Sequence, residues 1–287
     1  MSKRMLVMRT LCRRLLGFAT SLPIALLVLT APDAQAIQVN SFAPFTTTPT
    51  NQVWYESDMQ ANGTASIVNL TGAGGNLENG QPLSTGAALL TTGASNDDKA
   101  QVGVTDAYGN ANAAMTDGAF QLNYSFYKEA AGDLNIWAAP SIKLTLSNPG
   151  ASGDGYGTLI YEPYWQTSPL VPPTTGDWTS VAITSTNGIF WWDGGFGYSN
   201  SFGGPPLKTL AEWAAAFDGD FADADIVALS VGVGSWNQGQ TGYFDDVSIS
   251  FTGYSASYDF ESIPEPSTAL LLGVGLIGLA LRHRRQA

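Results

Sequence analysis

"FQLNYSF", residues 120–126, decides the fold: Phe120, Leu122, Tyr124 and Phe126 alternate with Gln121, Asn123 and Ser125. Successive side chains of a strand point to opposite faces, so this period of two predicts a strand with one buried and one wet face. The pattern recurs further along the chain. Ile142, Leu144 and Leu146 alternate with Lys143, Thr145 and Ser147, and Val247, Ile249 and Phe251 alternate with Ser248 and Ser250. "DIVALSVGVG", residues 225–234, is more continuously apolar, as befits a strand central in its sheet. Turn-rich runs separate these segments: "TGAGGN" (71–76), "NPGASGDGYG" (148–157), "VPPTTGDW" (171–178) and "DGGFGYSNSFGGPP" (193–206).

One stretch has helical spacing. After Pro205-Pro206, Leu207, Leu210, Trp213 or Ala214, and Phe217 recur every three to four residues. Thr209 and Glu212 stand at capping-box spacing, and Asp218-Gly219-Asp220 ends the run. Many short strands, frequent turns and one short helix predict an all-β body: a two-sheet antiparallel sandwich, jelly-roll-like, forming one domain over 37–262.

The two ends carry addresses rather than fold. Residues 1–36 combine a basic start (Lys3, Arg4, Arg9, Arg13, Arg14), an apolar run from Leu15 to Leu29 and the small-x-small close Ala34-Gln35-Ala36. That is the layout of a secretory signal helix cleaved after Ala36; Pro23 and the tidy close weigh against a first membrane span. Residues 263–287 open with Pro264-Glu265-Pro266, where prolines fix φ and remove donors. Ser267 and Thr268 then offer a cap to an apolar helix, Ala269 to Leu281, closed by Arg282, His283, Arg284 and Arg285. The 15 residues from Ser267 to Leu281 reach about 22 Å, short of a ~30 Å hydrocarbon core. The basic cluster stays cytoplasmic, so the body faces outward.

"PEPST" at 264–268, the Gly/Leu-rich run and the terminal "RHRR" resemble the PEP-CTERM sorting signal of Gram-negative bacteria. The resemblance implies that a membrane-embedded exosortase processes the chain near Pro264-Glu265-Pro266. It further implies a protein of the periplasm, outer surface or extracellular matrix, anchored transiently by its C-terminal helix and associated with exopolysaccharide. An ordinary single-pass anchor is the alternative.

Charge narrows the partners. Between Ile37 and Ile263 there are four lysines (Lys99, Lys128, Lys143, Lys208), no arginine and 22 carboxylates, a formal charge of −18. Such a surface repels phosphate backbones and excludes nucleic acid as a partner. The lone cysteine, Cys12, lies in the signal and the lone histidine, His283, in the tail. Disulfides, thiolate chemistry, a Ser-His-Asp triad and His- or Cys-based zinc sites are therefore excluded from the body.

Two motifs in the body bear on ligands. "GSWNQGQTGYFDDVSIS", residues 234–250, resembles the last strands of galactose-binding-like jelly rolls of carbohydrate-binding modules, on Tyr243, Phe244, Asp245, Asp246 and Val247. The resemblance implies a structural Ca²⁺ held by Asp245 or Asp246, with Glu56 in "VWYESD" as a partner from the first strands. Calcium takes six to eight oxygens. Asp218, Asp220, Asp223 and Asp225 lack EF-hand spacing and read as a helix stop and solvated turn.

The second motif is aromatic. "FWWDGGFGYSN", residues 190–200, together with "YEPYW" (161–165) and "SWNQGQ" (235–240), sets rings beside Asp, Asn and Gly, a makeup that suits pyranose stacking and hydroxyl recognition. Trp191, Trp192, Tyr198, Trp236 and Asn237 are the ligand candidates; adjacent Trp191 and Trp192 must face opposite ways, and a disulfide-free core also needs large rings. Glu162 with Asp193 or Glu212 could in principle act on glycosides, but carboxylates are too abundant for any pair to discriminate, and no nucleotide loop or nucleophile elbow is present. Two functions remain: a non-catalytic envelope or matrix protein sorted through its tail, and a carbohydrate-binding module with an aromatic platform.

Overall fold

The computed structural model describes residues 35–263 apart from Ser84, residues 130–134, Ser152, residues 199–203 and Asp218. The segments expected to form a signal helix (through Ala34) and a hydrophobic tail helix fall outside the described residues, as do Pro264, Glu265, Pro266, Arg282, Arg284 and Arg285. Among the described residues no helix is long and apolar enough to cross a membrane.

In chain order the strands are β1 (Ile37–Val39), β2 (Trp54–Gln60), β3 (Thr64–Asn69), β4 (Gly86–Thr91), β5 (Lys99–Asn110), β6 (Gln121–Lys128) and β7 (Ser141–Ser147). They continue with β8 (Tyr156–Tyr161), β9 (Trp178–Ile183), β10 (Trp191–Trp192), β11 (Asp225–Val233), β12 (Thr241–Phe251) and β13 (Tyr254–Phe260). They form two sheets. The seven-stranded sheet runs β1-β13-β12-β4-β3, with β6 joined to β12 and β9 to β6; the six-stranded sheet runs β10-β8-β7-β11-β5-β2. Among the named strands pairing is antiparallel except for β1, which lies parallel to β13 with Ile37 opposite Tyr258; an isolated bridge, Ala43 to Tyr55, is also parallel. The body is thus an all-β, jelly-roll-like sandwich.

The alternation at 120–126 explains why the sheets face each other. Leu122, Tyr124 and Phe126 of β6 are at most 1 % exposed, and Ile142, Leu144 and Leu146 of β7 are fully buried opposite them. Trp54 of β2 links the layers, its ring 5.4 Å from Tyr258, 4.9 Å from Phe260 and 6.1 Å from Phe244 of the other sheet. A buried aromatic removes about 150–250 Å² from water, about 4–6 kcal/mol of transfer free energy, which is how a cysteine-free body holds together.

The expected helix forms as α3 below, but it is not alone. The helices are α1 (Gly75–Asn79), α2 (Ala111–Thr116), α3 (Leu210–Phe217) and α4 (Gly219–Ala222). The capping box is made: Thr209 N–H donates to Glu212 Oε2 at 2.8 Å, and Glu212 N–H donates to Thr209 Oγ1 at 3.3 Å. Helix α3 buries Leu210, Trp213, Ala214 and Phe217. The expectation of a single helix is corrected by α2, whose start is fixed by Asn110 Oδ1 accepting from Ala113 N–H at 2.9 Å. Six residues are too few to display a helical period.

Candidate functional site

Strand parity places the polar partners of the core residues on the outer face of the six-stranded sheet. Ser141 and Lys143 of β7 point there, as do Ile160 of β8 with Glu162 beyond it, Trp191 of β10 with Asp193 beyond it, and Lys99 of β5. All of these line one cleft of about 710 Å³. Two loops raise its wall, one bringing Asn135, Trp137 and Ala138, the other Gly234, Ser235, Trp236 and Asn237; Tyr164 completes the lining.

The wall is braced from within. Lys128, fully buried at the end of β6, donates from Nζ to Asn135 O at 3.0 Å and Ile136 O at 2.8 Å. Asn135 Nδ2 donates in turn to Trp236 O at 3.1 Å and Asn237 Oδ1 at 3.2 Å, and buried Gln240 Nε2 donates to Ala138 O at 2.7 Å. Trp236 N–H donates to Asn96 O at 2.9 Å, in a loop whose Asp98 accepts from Asn62 and Ser95 N–H groups, bonds that hold its carboxyl below the usual range. Trp236 itself sits at φ 71°, a left-handed conformation uncommon for a bulky residue, and its ring is 69 % exposed.

Four rings therefore border the cleft: Trp137, Tyr164, Trp191 and Trp236. Trp137 and Tyr164 lie 6.3 Å apart between centroids. Trp191 Nε1 donates to Glu162 Oε2 at 3.3 Å, which tethers the indole beside the cleft. Burial pushes Glu162 above the usual carboxylate range against hydrogen bonds from Tyr164 and Trp191 that favour its charged form. Lys99 ion-pairs with Asp58, and Lys143 donates to Gln101 Oε1. Lys143 is 7 % exposed, and burial, with the charge of Lys99 second, lowers its pKa to about 8.

Of the five ligand candidates in the sequence, Trp191, Trp236 and Asn237 come together here. Trp192 does not: it is 1 % exposed, packed 4.6 Å from Phe217 and 5.3 Å from Phe196, so parity turned it into the core under α3. Tyr198 lies off the cleft, with its ring 4.4 Å from Phe217 and its hydroxyl donating to Ala216 O at 3.0 Å. Trp137, Lys99 and Lys143 went unnamed as ligand residues. Lys143 could have been found, since it is the polar partner in the β7 alternation.

The carboxylates expected to hold calcium, Asp245 or Asp246 with Glu56, start from different sheets. Glu56 belongs to the six-stranded sheet, where its Oε2 accepts from Phe45 N–H at 3.2 Å, whereas Asp245 and Asp246 belong to the seven-stranded one. Asp245 is fully buried; Oδ1 accepts from Phe260 N–H at 3.1 Å, Oδ2 has no hydrogen-bond partner, and burial pushes the carboxyl up to about 7. Asp246 occupies φ 53° at a bulge in β12. Among the described residues no group of three or more His, Cys, Asp or Glu side chains is placed to hold a metal ion.

Residues 262–285 match the PEP-CTERM protein-sorting motif, which marks an exported, envelope-sorted chain. No curated protein matches the chain in sequence. In strand layout the body is similar to the family 11 carbohydrate-binding module of the cellulosomal cellulase Lic26A-Cel5E of Clostridium thermocellum (10 % identity, 76 % of this chain and 96 % of that one, TM-score 0.38). It is likewise similar to the family 11 module of Clostridium thermocellum in complex with a beta-1,3-1,4-mixed-linked tetrasaccharide (11 % identity, 68 % and 86 %, TM-score 0.35). A third likeness is to an endo-beta-1,4-glucuronan lyase from the fungus Trichoderma reesei (14 % identity, 72 % and 98 %, TM-score 0.36). At these identities and scores none of the three assigns a ligand.

Proposed function

We propose that this exported protein holds a polysaccharide chain in the cleft of its six-stranded sheet, without cleaving it, and so joins the exopolymer around the cell. The observation that carries the reading is the convergence of Trp137, Tyr164, Trp191 and Trp236 on one cleft whose floor offers Ser141, Lys143, Glu162 and Asp193. Ring faces suit the C–H faces of pyranoses, and polar groups between them suit hydroxyls. The rigid tying of Trp236 through Asn135 and Asn96 supports it further, because a preorganised ring costs less to immobilise on binding. In this reading the tail is processed by an exosortase-type enzyme near Pro264-Glu265-Pro266.

Affinity electrophoresis through gels containing exopolymer from the producing cells tests the binding. Retardation of the wild type, reduced for Trp236→Ala and Trp137→Ala with unchanged melting temperature, is expected. Equal mobility with and without exopolymer contradicts the reading, and release of new reducing or unsaturated ends from the polymer contradicts its non-catalytic part. Replacing Pro264-Glu265-Pro266 by alanines is expected to leave the tail uncut in intact-mass measurements of the exported protein; unchanged processing removes the sorting step.

A further inference from the structure

We propose that the glycan held in the cleft is acidic, and that the Lys143 ammonium receives the carboxylate of a uronic acid unit at the floor; this rests on the cleft being a glycan site. Cations are scarce in this body, yet of Lys99, Lys128, Lys143 and Lys208 two line the cleft and Lys128 braces its wall. The two in the cleft differ. Lys99 is already neutralised by Asp58. Lys143 is 7 % exposed and its hydrogen bond goes to Gln101 Oε1, a neutral acceptor, with no ion pair among the described residues.

An ammonium carries three donors, so Lys143 keeps two for a ligand at the bottom of a cleft. Burying an ammonium without a bonded carboxylate costs several kcal/mol, and an apolar side chain of the same length would fill the floor at no such cost. The retained charge is explained by an anion that completes it. Glu162, Asp58 and Asp193 favour the Lys143 charge from a distance, but among the described residues none of them makes a direct ion pair with it. The acidic exterior opposes a polyanion at long range, but that repulsion is screened beyond about 8–10 Å in physiological salt, whereas the floor acts at contact.

The groups facing Lys143 are Lys99 and Gln101 of β5, Asp58 of β2, and Glu162 and Asp193 beyond β8 and β10. Tyr164 is pushed above the usual phenol range by burial, so it stays protonated in the window where Lys143 titrates. Lys143 is charged below a pKa of about 8 and neutral above it. Anion binding is therefore complete near pH 6.5 and falls towards tenfold per pH unit only above about pH 8.

The test is calorimetric titration of the exported protein with a tetrasaccharide of glucuronic or galacturonic acid and with a neutral glucan tetrasaccharide, between pH 6.5 and 9.5. A uronate affinity at least about tenfold above the neutral one, weakening through about pH 8, is expected. Lys143→Met is expected to erase that preference without lowering the melting temperature, and Lys143→Arg to retain uronate binding without the pH dependence. Neutral binding equal to or tighter than uronate binding, or a Lys143→Met protein that keeps the preference, overturns the inference while leaving the cleft a glycan site. Binding of neither probe, together with no retardation by the native exopolymer, overturns both.

Discussion

Trp191 and Trp192 are neighbours in the chain and belong to two different economies of the molecule. Trp192 is sealed beneath α3 with Phe196, Trp213 and Phe217, over a strand glycine, Gly157, whose absent Cβ makes the room. Trp191, one residue back, lies on the outer face with its indole N–H on Glu162. The same residue type thus supplies cohesion on one side of the sheet and, in the proposed function, a recognition surface on the other, and the half-turn between successive side chains is what sends the two apart. The lesson extends across the body: Trp54 binds the layers together, while Trp236, 69 % exposed, contributes little to stability and is kept in place by backbone bonds.

The contrast breaks most visibly at Trp192. Trp192→Ala is expected to cost about 3–5 kcal/mol by urea unfolding, whereas Trp191→Ala costs less than about 1 kcal/mol; similar losses would dissolve the distinction between the two faces. The next effect concerns acidity inside the sandwich. Burial raises Asp245 from 3.8 to about 7, so the fold favours the neutral acid. Its contribution is complete below about pH 4 and is lost as pH rises through about 7, at most about 4 kcal/mol in all. Asp246 and Asp259 lean the same way, while Asp98 and Asp117, held low by backbone N–H bonds, gain stability as pH rises through the carboxylate range. Asp245→Asn should therefore flatten the fall in urea midpoint between pH 5 and 8, and an unchanged slope would place the titration elsewhere.

Smaller again is Gly157→Ala. A Cβ there would lie 2.1 Å from the Trp192 ring and 2.2 Å from Gly194 O, so a loss of about 1–3 kcal/mol is expected in the same unfolding measurement. Smallest in energy is Trp236→Ala, expected to weaken polysaccharide binding by about 1–2 kcal/mol, about five- to thirtyfold, with the urea midpoint unmoved. A shifted midpoint would mean that the ring is structural after all.

Much of the fold was legible in the sequence because its signals are local. The alternation of β6, β7 and β12 lies within seven residues each, and Thr209 with Glu212 announces α3 three residues apart. The site was legible only by halves. Parity required Trp191 and Trp192 to diverge, but which one turned inward depends on α3 and Gly157, distant in sequence. The polar position of Lys143 was readable from Ile142 and Leu144; its burial was not, because the walls come from loops near 135 and 236 that meet only in the folded chain. Trp137 stands alone in "NIWAAP" and gains meaning through Lys128, whose buried brace leaves no trace in the pattern. The parallel pairing of β1 with β13 is likewise a product of the closed sandwich, not of either strand's sequence.

The most direct measurement of the central claim is tryptophan oxidation footprinting, read by mass spectrometry, on the exported protein with and without exopolymer from the producing cells. Trp236 and Trp137 should oxidise readily in the free protein and be protected by the polymer, while Trp192 stays unmodified in both. Oxidation of Trp236 and Trp137 at the same rate with and without polymer would contradict the account, because the cleft would then hold no glycan.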